Sequence, residues 1–244
     1  MNGADALDRI RIVLSHPSHP GNIGAAARAM KTMGLKSLWL VQPADFPSPV
    51  ADARASGADD VLAAARVVGS LEEALAGTVL AAAVTARRRE LSLPRMTARE
   101  AAGEVLAYTR QGEVAIVFGN ETSGLSNEEV ALCAMPVSIP TNPAFSSLNL
   151  GSAVQLLTYE LRMSAMQPAP VFGDENPAQP ATHDEVEGFF GHLEKAVIES
   201  GFHDPENPRR LIPRLRRLFG RVRLEKEEVG ILRGMLTSFQ RKVD

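Results

Sequence analysis

Residues 10–42 read IRIVLSHPSHPGNIGAAARAMKTMGLKSLWLVQ. Two apolar, partly β-branched runs, Ile10–Ser15 and Ser37–Gln42, enclose an alanine-rich segment, Gly24–Met33. Short apolar runs bounded by turn residues predict buried strands, and Ala, Met and Lys favour the helix between them. Gly34 stands where a helix ends in a left-handed residue, just before the next strand. Strand, helix, strand is the repeating unit of a parallel sheet.

The pattern continues along the chain. Thr78–Thr85, Val114–Phe118 and Val137–Pro140 predict further buried strands, and Leu71–Ala76, Ala98–Arg110 and Asn127–Cys133 predict helices. Ser70 with Glu73, Thr97 with Glu100 and Ser126 with Glu129 have the spacing of capping boxes, in which hydroxyl and carboxylate satisfy free N–H groups at a helix start. The fold class is therefore α/β: residues 1–165 form a parallel sheet covered by helices on both faces. A long helix over Ser147–Ala165 brings Leu148, Val154, Leu157, Leu161 and Ala165 near one face. Residues 166–183, broken by Pro168, Pro170, Gly173, Pro177 and Pro180, read as a linker. Beyond it, residues 184–244 predict a small helical domain of three amphipathic helices, Asp184–Ser200, Pro208–Phe219 and Glu225–Arg241. So short a segment is marginal for an independent core, so it is expected to dock on the main domain or a partner.

With 45% hydrophobic and 23% charged residues, the 244-residue chain has the balance of a soluble globular protein. Its single cysteine, Cys133, excludes an internal disulfide framework and a cysteine-cluster zinc site. His16 and His19 lack a third ligand at metal spacing, so no metal is expected. Neither a signal peptide nor a bilayer-spanning run is read, so the expected compartment is the cytoplasm and no membrane partner is expected. The net charge of −3 conceals a division. Residues 209–244 hold eleven Lys and Arg against four Asp and Glu, leaving the rest of the chain at −10. A basic tail on an acidic body points to an anionic partner, nucleic acid or an anionic surface, beside the plainer reading of a solvated helix face.

Three segments carry the candidate chemistry. His19-Pro20-Gly21-Asn22-Ile23-Gly24-Ala25-Ala26-Ala27-Arg28 lies between a strand and a helix, and its glycines permit close backbone approach. It lacks the G-x-G-x-x-G spacing of a dinucleotide site, which weighs against an oxidoreductase. Ile116-Val117-Phe118-Gly119-Asn120-Glu121-Thr122-Ser123-Gly124-Leu125 is a polar turn at the carboxyl end of a strand, where open α/β sheets bind ligands. In Ile139-Pro140-Thr141-Asn142-Pro143-Ala144-Phe145-Ser146-Ser147-Leu148-Asn149, a rigid loop enters a helix. Ser146 or Ser147 suits its N-cap, whereas Asn149 in a first turn implies a task for its amide.

Taken in order, these segments resemble the three motifs of the SpoU-type 2′-O-ribose methyltransferases of the SPOUT superfamily. The matching residues are Gly21-Asn22 with Gly24 and Arg28, Val117-Phe118-Gly119 with Glu121 and Gly124-Leu125, and Ile139-Pro140 with Ser147-Leu148-Asn149. The likeness extends through Ala29–Leu35, Leu38–Val41, Gly191–Leu193, Leu215–Phe219 and Ile231–Gly234 to the bacterial enzymes that methylate nucleotide 32 of the tRNA anticodon loop.

The resemblance implies a carboxyl-terminal trefoil knot in the catalytic domain, S-adenosylmethionine bound by the knot loops, tRNA as substrate and a homodimer that completes each site. By position, the cofactor loops are Val84-Thr85-Ala86, Gly119, Ile139 and Ser146-Ser147-Leu148, with Leu148 and Ile139 as apolar walls. Arg28 is assigned to the reacting hydroxyl. Because a guanidinium stays protonated, it is read as stabilising the developing alkoxide and holding a neighbouring phosphate. Asn22, Glu121, Ser147 and Asn149 would orient Arg28 and the substrate. The run Arg87-Arg88-Arg89, and Arg210, Arg214, Arg217 and Arg221 at helical spacing in the tail, are candidate RNA contacts. Asn120 departs from the arginine often found there in a close relative. A ribosomal RNA methyltransferase and a non-catalytic RNA-binding protein on the same fold are the alternatives.

Overall fold

The computed structural model describes residues 3–86, 94–167 and 179–241. In chain order, the amino-terminal elements are α1 (Gly3–Leu7), β1 (Ile10–Ser15), α2 (Pro20–Met33), β2 (Ser37–Val41), α3 (Pro49–Ala55), α4 (Asp59–Ala63), β3 (Arg66–Val68), α5 (Leu71–Leu75) and β4 (Thr78–Val84). There follow β5 (Met96–Thr97), α6 (Ala98–Tyr108), β6 (Glu113–Phe118), α7 (Asn127–Ala131), β7 (Met135–Ser138) and α8 (Leu150–Ala165). The tail consists of α9 (His183–Glu199), α10 (Leu211–Gly220) and α11 (Lys226–Gln240). The seven strands form one sheet in the order β3-β2-β1-β6-β4-β7-β5, and every pairing is parallel.

Alternating side chains divide each strand between two cores. Ile10, Ile12 and Leu14 of β1 join Val114, Ile116 and Phe118 of β6 beneath α2, α3, α6 and α8. Val13, Val117 and Ala115 face the other way, against Leu71 and Leu75 of α5 and Val130 of α7. The strands thus read as continuous apolar runs because both faces are covered.

Helix boundaries follow their caps. α2 starts at Pro20, a residue whose fixed φ suits the first helical position, so Gly21 and Asn22 lie in its first turn rather than in the preceding loop. Gly34 ends it with φ at 87°. Both arms of the capping box form at Thr97/Glu100 and Ser126/Glu129. At Ser70 only the hydroxyl arm forms, because the Glu73 carboxylate accepts instead from the Gly69 N–H at 2.9 Å. The helix expected from Ser147 begins three residues later, with Asn149 itself as N-cap. The short elements α1, α3, α4, β3 and β5 have no counterpart in the sequence reading, since each has too few residues to show a period.

The tail builds a small core of Phe189, Phe190, Leu224 and Val229, closed by Phe219, whose ring meets that of Phe189 edge-on at 4.9 Å. It docks on the main domain. Arg223 pairs with Glu104 and lies 5.6 Å over the ring of Tyr108, and the Gly77 N–H donates to Asp184 at 2.9 Å. Residues 179–181 run beside 224–226, with the Ala181 N–H donating to the Leu224 carbonyl at 3.0 Å.

Candidate active site

The registers place Val84 beside both Phe118 and Val137, so β6, β4 and β7 end side by side on one edge of the sheet. Gly119, Thr85-Ala86 and Ile139 leave that edge together, and β1 delivers the loop of residues 16–19 next to β6. Segments far apart in sequence thus share one end of the sheet, the end where open α/β proteins bind ligands.

Glu121 is the hub. Its Oε2 accepts from the Ser18 N–H at 2.9 Å and the Ser18 hydroxyl at 2.7 Å. Its Oε1 accepts from the Asn22 amide at 2.8 Å and the His19 N–H at 3.3 Å. Partial burial works to raise its pKa, but these bonds outweigh it and bring the carboxyl to about 2, so it is ionised at neutral pH. Asn22 Oδ1 accepts from the Asn149 amide at 2.9 Å, and Asn149 Oδ1 accepts from the Gly151 N–H at 2.9 Å, capping α8. One chain of hydrogen bonds therefore joins the start of α2, the turn after β6 and the start of α8. Of the five residues assigned to the reaction, the structure links Asn22, Glu121 and Asn149 directly.

Two glycines make this closure possible. A Cβ on Gly24 would stand 2.1 Å from the Ala51 carbonyl oxygen, so α2 and α3 approach only because it is absent. A Cβ on Gly119 would meet the Leu125 nitrogen at 2.2 Å, where the turn folds back on itself. Asn120 serves that turn: its side-chain Oδ1 accepts from the Thr122 N–H at 2.9 Å and its Nδ2 donates to the His16 carbonyl at 2.8 Å. Its side chain thus ties the turn after β6 to the loop after β1.

Arg28 lies on α2, exposed, with no ion pair among the described residues. Ser146, Ser147 and Leu148 are exposed in the loop entering α8, and Ile139 is half-buried. Thr85 is half-buried, and its N–H donates to the Val137 carbonyl at 2.8 Å, extending the ladder beyond Val84. That N–H is therefore not available to a ligand. Ala86 is exposed, and its carbonyl accepts from Arg95 at 2.9 Å. Arg87, Arg88 and Arg89 lie outside the described residues. Among the described residues, no group of three His, Cys, Asp or Glu is arranged to hold a metal, and no helix is long and apolar enough to cross a membrane.

Residues 9–159 match the model of the SpoU rRNA Methylase family. The chain belongs to the SpoU methylase family. Residues 184–244 match a second family model, the C-terminal domain of the tRNA methyltransferase TrmJ. The tRNA (cytidine/uridine/adenosine-2′-O-)-methyltransferase TrmJ of Pseudomonas aeruginosa is 51% identical, over 96% of this chain and 95% of its own. The crystal structure of TrmJ from Z. mobilis ZM4 superposes with a TM-score of 0.81 at 37% identity, covering 94% of this chain and 98% of that one. The SpoU methyltransferase AviRb from Streptomyces viridochromogenes, solved with the cofactor AdoMet, superposes with a TM-score of 0.50 at 25% identity, covering 64% of this chain and 57% of that one.

The tail of this SpoU chain sorts its cations into two sets. Arg216 is committed internally, with its two terminal nitrogens 2.6 and 2.7 Å from the Glu187 carboxylate and its guanidinium 4.4 Å over the Phe190 ring. Arg223 is committed to the main domain through Glu104. Arg214, Arg217 and Arg221 are exposed on one stripe of α10 and make no ion pair among the described residues. Arg210 precedes α10 as its N-cap, in a left-handed conformation at φ 70°. Two residues of the SpoU site carry tasks that the sequence does not announce: Ser18 holds Glu121, and His19, read only as the start of the first segment and as an imidazole without metal partners, bonds Glu121 and caps α2. The available signal was Pro20: a proline at the first helical position makes the residue before it a cap.

Proposed function

We propose that this chain transfers the methyl group of S-adenosylmethionine to a ribose 2′-hydroxyl of tRNA, at nucleotide 32 of the anticodon loop, and works as a homodimer. The observation that carries the reading is the hydrogen-bonded chain Ser18–Glu121–Asn22–Asn149, which joins the three SpoU motifs at the start of the helix that carries Arg28, a residue with no ion pair among the described residues. The name of the Pseudomonas relative supports the tRNA ribose, and the AviRb complex supports the cofactor.

That end of the sheet suits the cofactor's chemistry. Ile139 and Leu148 offer apolar surface to a base, and the exposed Ser146 and Ser147 hydroxyls offer polar contacts to a ribose or an amino-acid moiety. When bound, S-adenosylmethionine supplies a methyl group already activated on a sulfonium. The protein then has to align the incoming oxygen and manage one proton. Arg28, permanently cationic, stabilises the alkoxide that develops on the ribose and holds the adjacent phosphate in its planar fork. The proton leaves through that phosphate or through water. Glu121 and Asn149 hold Asn22 from two sides, and so set the start of the helix that carries Arg28. In this reading residues 1–165 are the catalytic domain with its carboxyl-terminal knot, 166–183 the linker, and 184–244 an RNA-binding domain that acts through Arg214, Arg217 and Arg221.

Dimerisation is supported by the outer face of α8. Leu156, Tyr159, Met163 and Met166 are 43, 44, 40 and 68% exposed and recur at helical spacing. A second copy would cover them. Mapping ribose methylation in tRNA from a strain lacking the gene tests the activity. Loss of the mark at nucleotide 32, restored by the wild-type gene and not by Arg28→Ala, is the expected result; an unchanged mark overturns it. Sedimentation of a fully active monomer would overturn the dimer.

A further inference from the structure

We propose that His19 is a positioning residue for methyl transfer: through an imidazole whose Nδ1 carries no proton, it caps α2 and keeps Asn22 and Glu121 in register. The inference rests on the ribose-methylation reading and adds to it a residue that does not itself touch the reacting atoms.

Three bonds meet at His19. Its N–H donates to Glu121 Oε1 at 3.3 Å, its carbonyl accepts from the Asn22 N–H at 3.0 Å, and its Nδ1 accepts from the Gly21 N–H at 3.0 Å. The Asn22 amide closes the circuit by donating to the same Glu121 oxygen. His19 thus sits between the two residues that connect the first and second motifs, and it also restrains the first turn of the helix bearing Arg28. The seat for its ring exists because residue 21 is glycine. A Cβ built there would stand 3.0 Å from both Cε1 and Nδ1 of the imidazole.

Histidine is outside the usual N-cap residues, which are Asn, Asp, Ser and Thr. It serves only while Nδ1 is an acceptor, with the ring proton on Nε2. A second proton would turn Nδ1 into a donor aimed at the Gly21 N–H, and the ring would have to leave its seat. The Glu121 carboxylate from the turn after β6 accepts from the His19 N–H and so fixes the backbone that presents the ring. Uncapping frees the Gly21 N–H and loosens the turn holding Asn22. The cost falls on the rate of transfer and not on cofactor binding, because none of the three bonds of His19 reaches Thr85, Ala86, Gly119, Ile139 or residues 146–148.

The experiment compares the wild-type protein with His19→Ala and His19→Asn. It measures kcat and KM on tRNA at neutral pH, calorimetric affinity for S-adenosylmethionine, and melting. His19→Ala is expected to lower kcat about tenfold, with cofactor affinity changed less than twofold. His19→Asn restores a capping acceptor. It is expected to recover most of the rate. Wild-type kcat in His19→Ala, or a folded His19→Asn as slow as His19→Ala, would each overturn the proposal. A wild-type protein that methylates no tRNA overturns the functional reading instead, and this inference with it.

Discussion

Replacing Glu121 by Gln removes a charge while keeping the size of the side chain, and the structure sets the scale of the loss. The carboxylate accepts four hydrogen bonds, from the Ser18 N–H and hydroxyl, the His19 N–H and the Asn22 amide. A carboxamide offers one acceptor oxygen, and its NH2 must face one of those donor pairs, so the set does not survive intact. Burial opposes ionisation of Glu121, yet the bonds from Ser18 and Asn22 lower its pKa from 4.5 to about 2. A carboxyl lowered in the folded state contributes stability that is complete above its unfolded value and disappears as the pH falls through its folded value. At about 1.4 kcal/mol per pKa unit the shift corresponds to a ceiling of about 3 kcal/mol. The side chain is half-exposed, and screening by water brings the expected contribution to about 1–2 kcal/mol. Urea unfolding at pH 7 should place Glu121→Gln below the wild type by that amount, and the gap should shrink at pH 3. Transfer to tRNA at pH 7 should fall at least about tenfold, because Asn22 loses one of its two anchors. Equal urea midpoints at pH 7, or a gap as wide at pH 3 as at pH 7, would refute the reasoning.

Gly24→Ala should lower Tm by about 5–10 °C in calorimetry, corresponding to about 2–4 kcal/mol, because its Cβ would stand 2.1 Å from a backbone oxygen of α3. Arg28→Ala should abolish transfer while leaving calorimetric affinity for S-adenosylmethionine within a few-fold, and Arg28→Lys should fail as well, since a point charge does not reproduce a planar fork. Changing Arg214, Arg217 and Arg221 together to Gln should weaken tRNA binding about tenfold and reduce the slope of log affinity against log salt by about 2–3, with melting unchanged. Arg216→Ala should instead lower the melting temperature of the tail, because it breaks the pair with Glu187.

Where periodicity was long enough, the sequence was a sufficient guide. The central strands β1, β2, β4, β6 and β7 announce themselves as apolar runs because both faces are buried, and Gly34 announces the end of α2. The start of α2 was harder to read. Gly21 and Asn22 look like turn residues, and only the proline at 20 reveals that the helix has already begun. Asn149 was singled out as out of place in a first turn. The structure gives it two tasks, capping α8 with one end of its amide and holding Asn22 with the other. The bonds that Ser18 and His19 give Glu121 are illegible in the sequence because they run largely through backbone N–H groups, which every residue but proline possesses. The sorting of tail arginines was equally invisible: Arg216 and Arg217 are neighbours of one type, and only the fold turns one onto Phe190 and the other to solvent.

The helix that carries Arg28 is wedged on several sides. Gly24 lies against α3, Ala25 against Gly151 of α8, and Ala26, Ala27 and Met30 are sealed in the core. Its inward positions therefore have almost no room for inheritable variation, since each added methylene meets backbone or a filled interior. The loop of residues 140–145 and the outer stripe of α10 are largely exposed and carry few side-chain bonds among the described residues. Drift and selection can act there without disturbing the relay. A substitution on those two surfaces meets solvent, whereas one on the inward side of α2 has to be absorbed by three neighbouring helices at once.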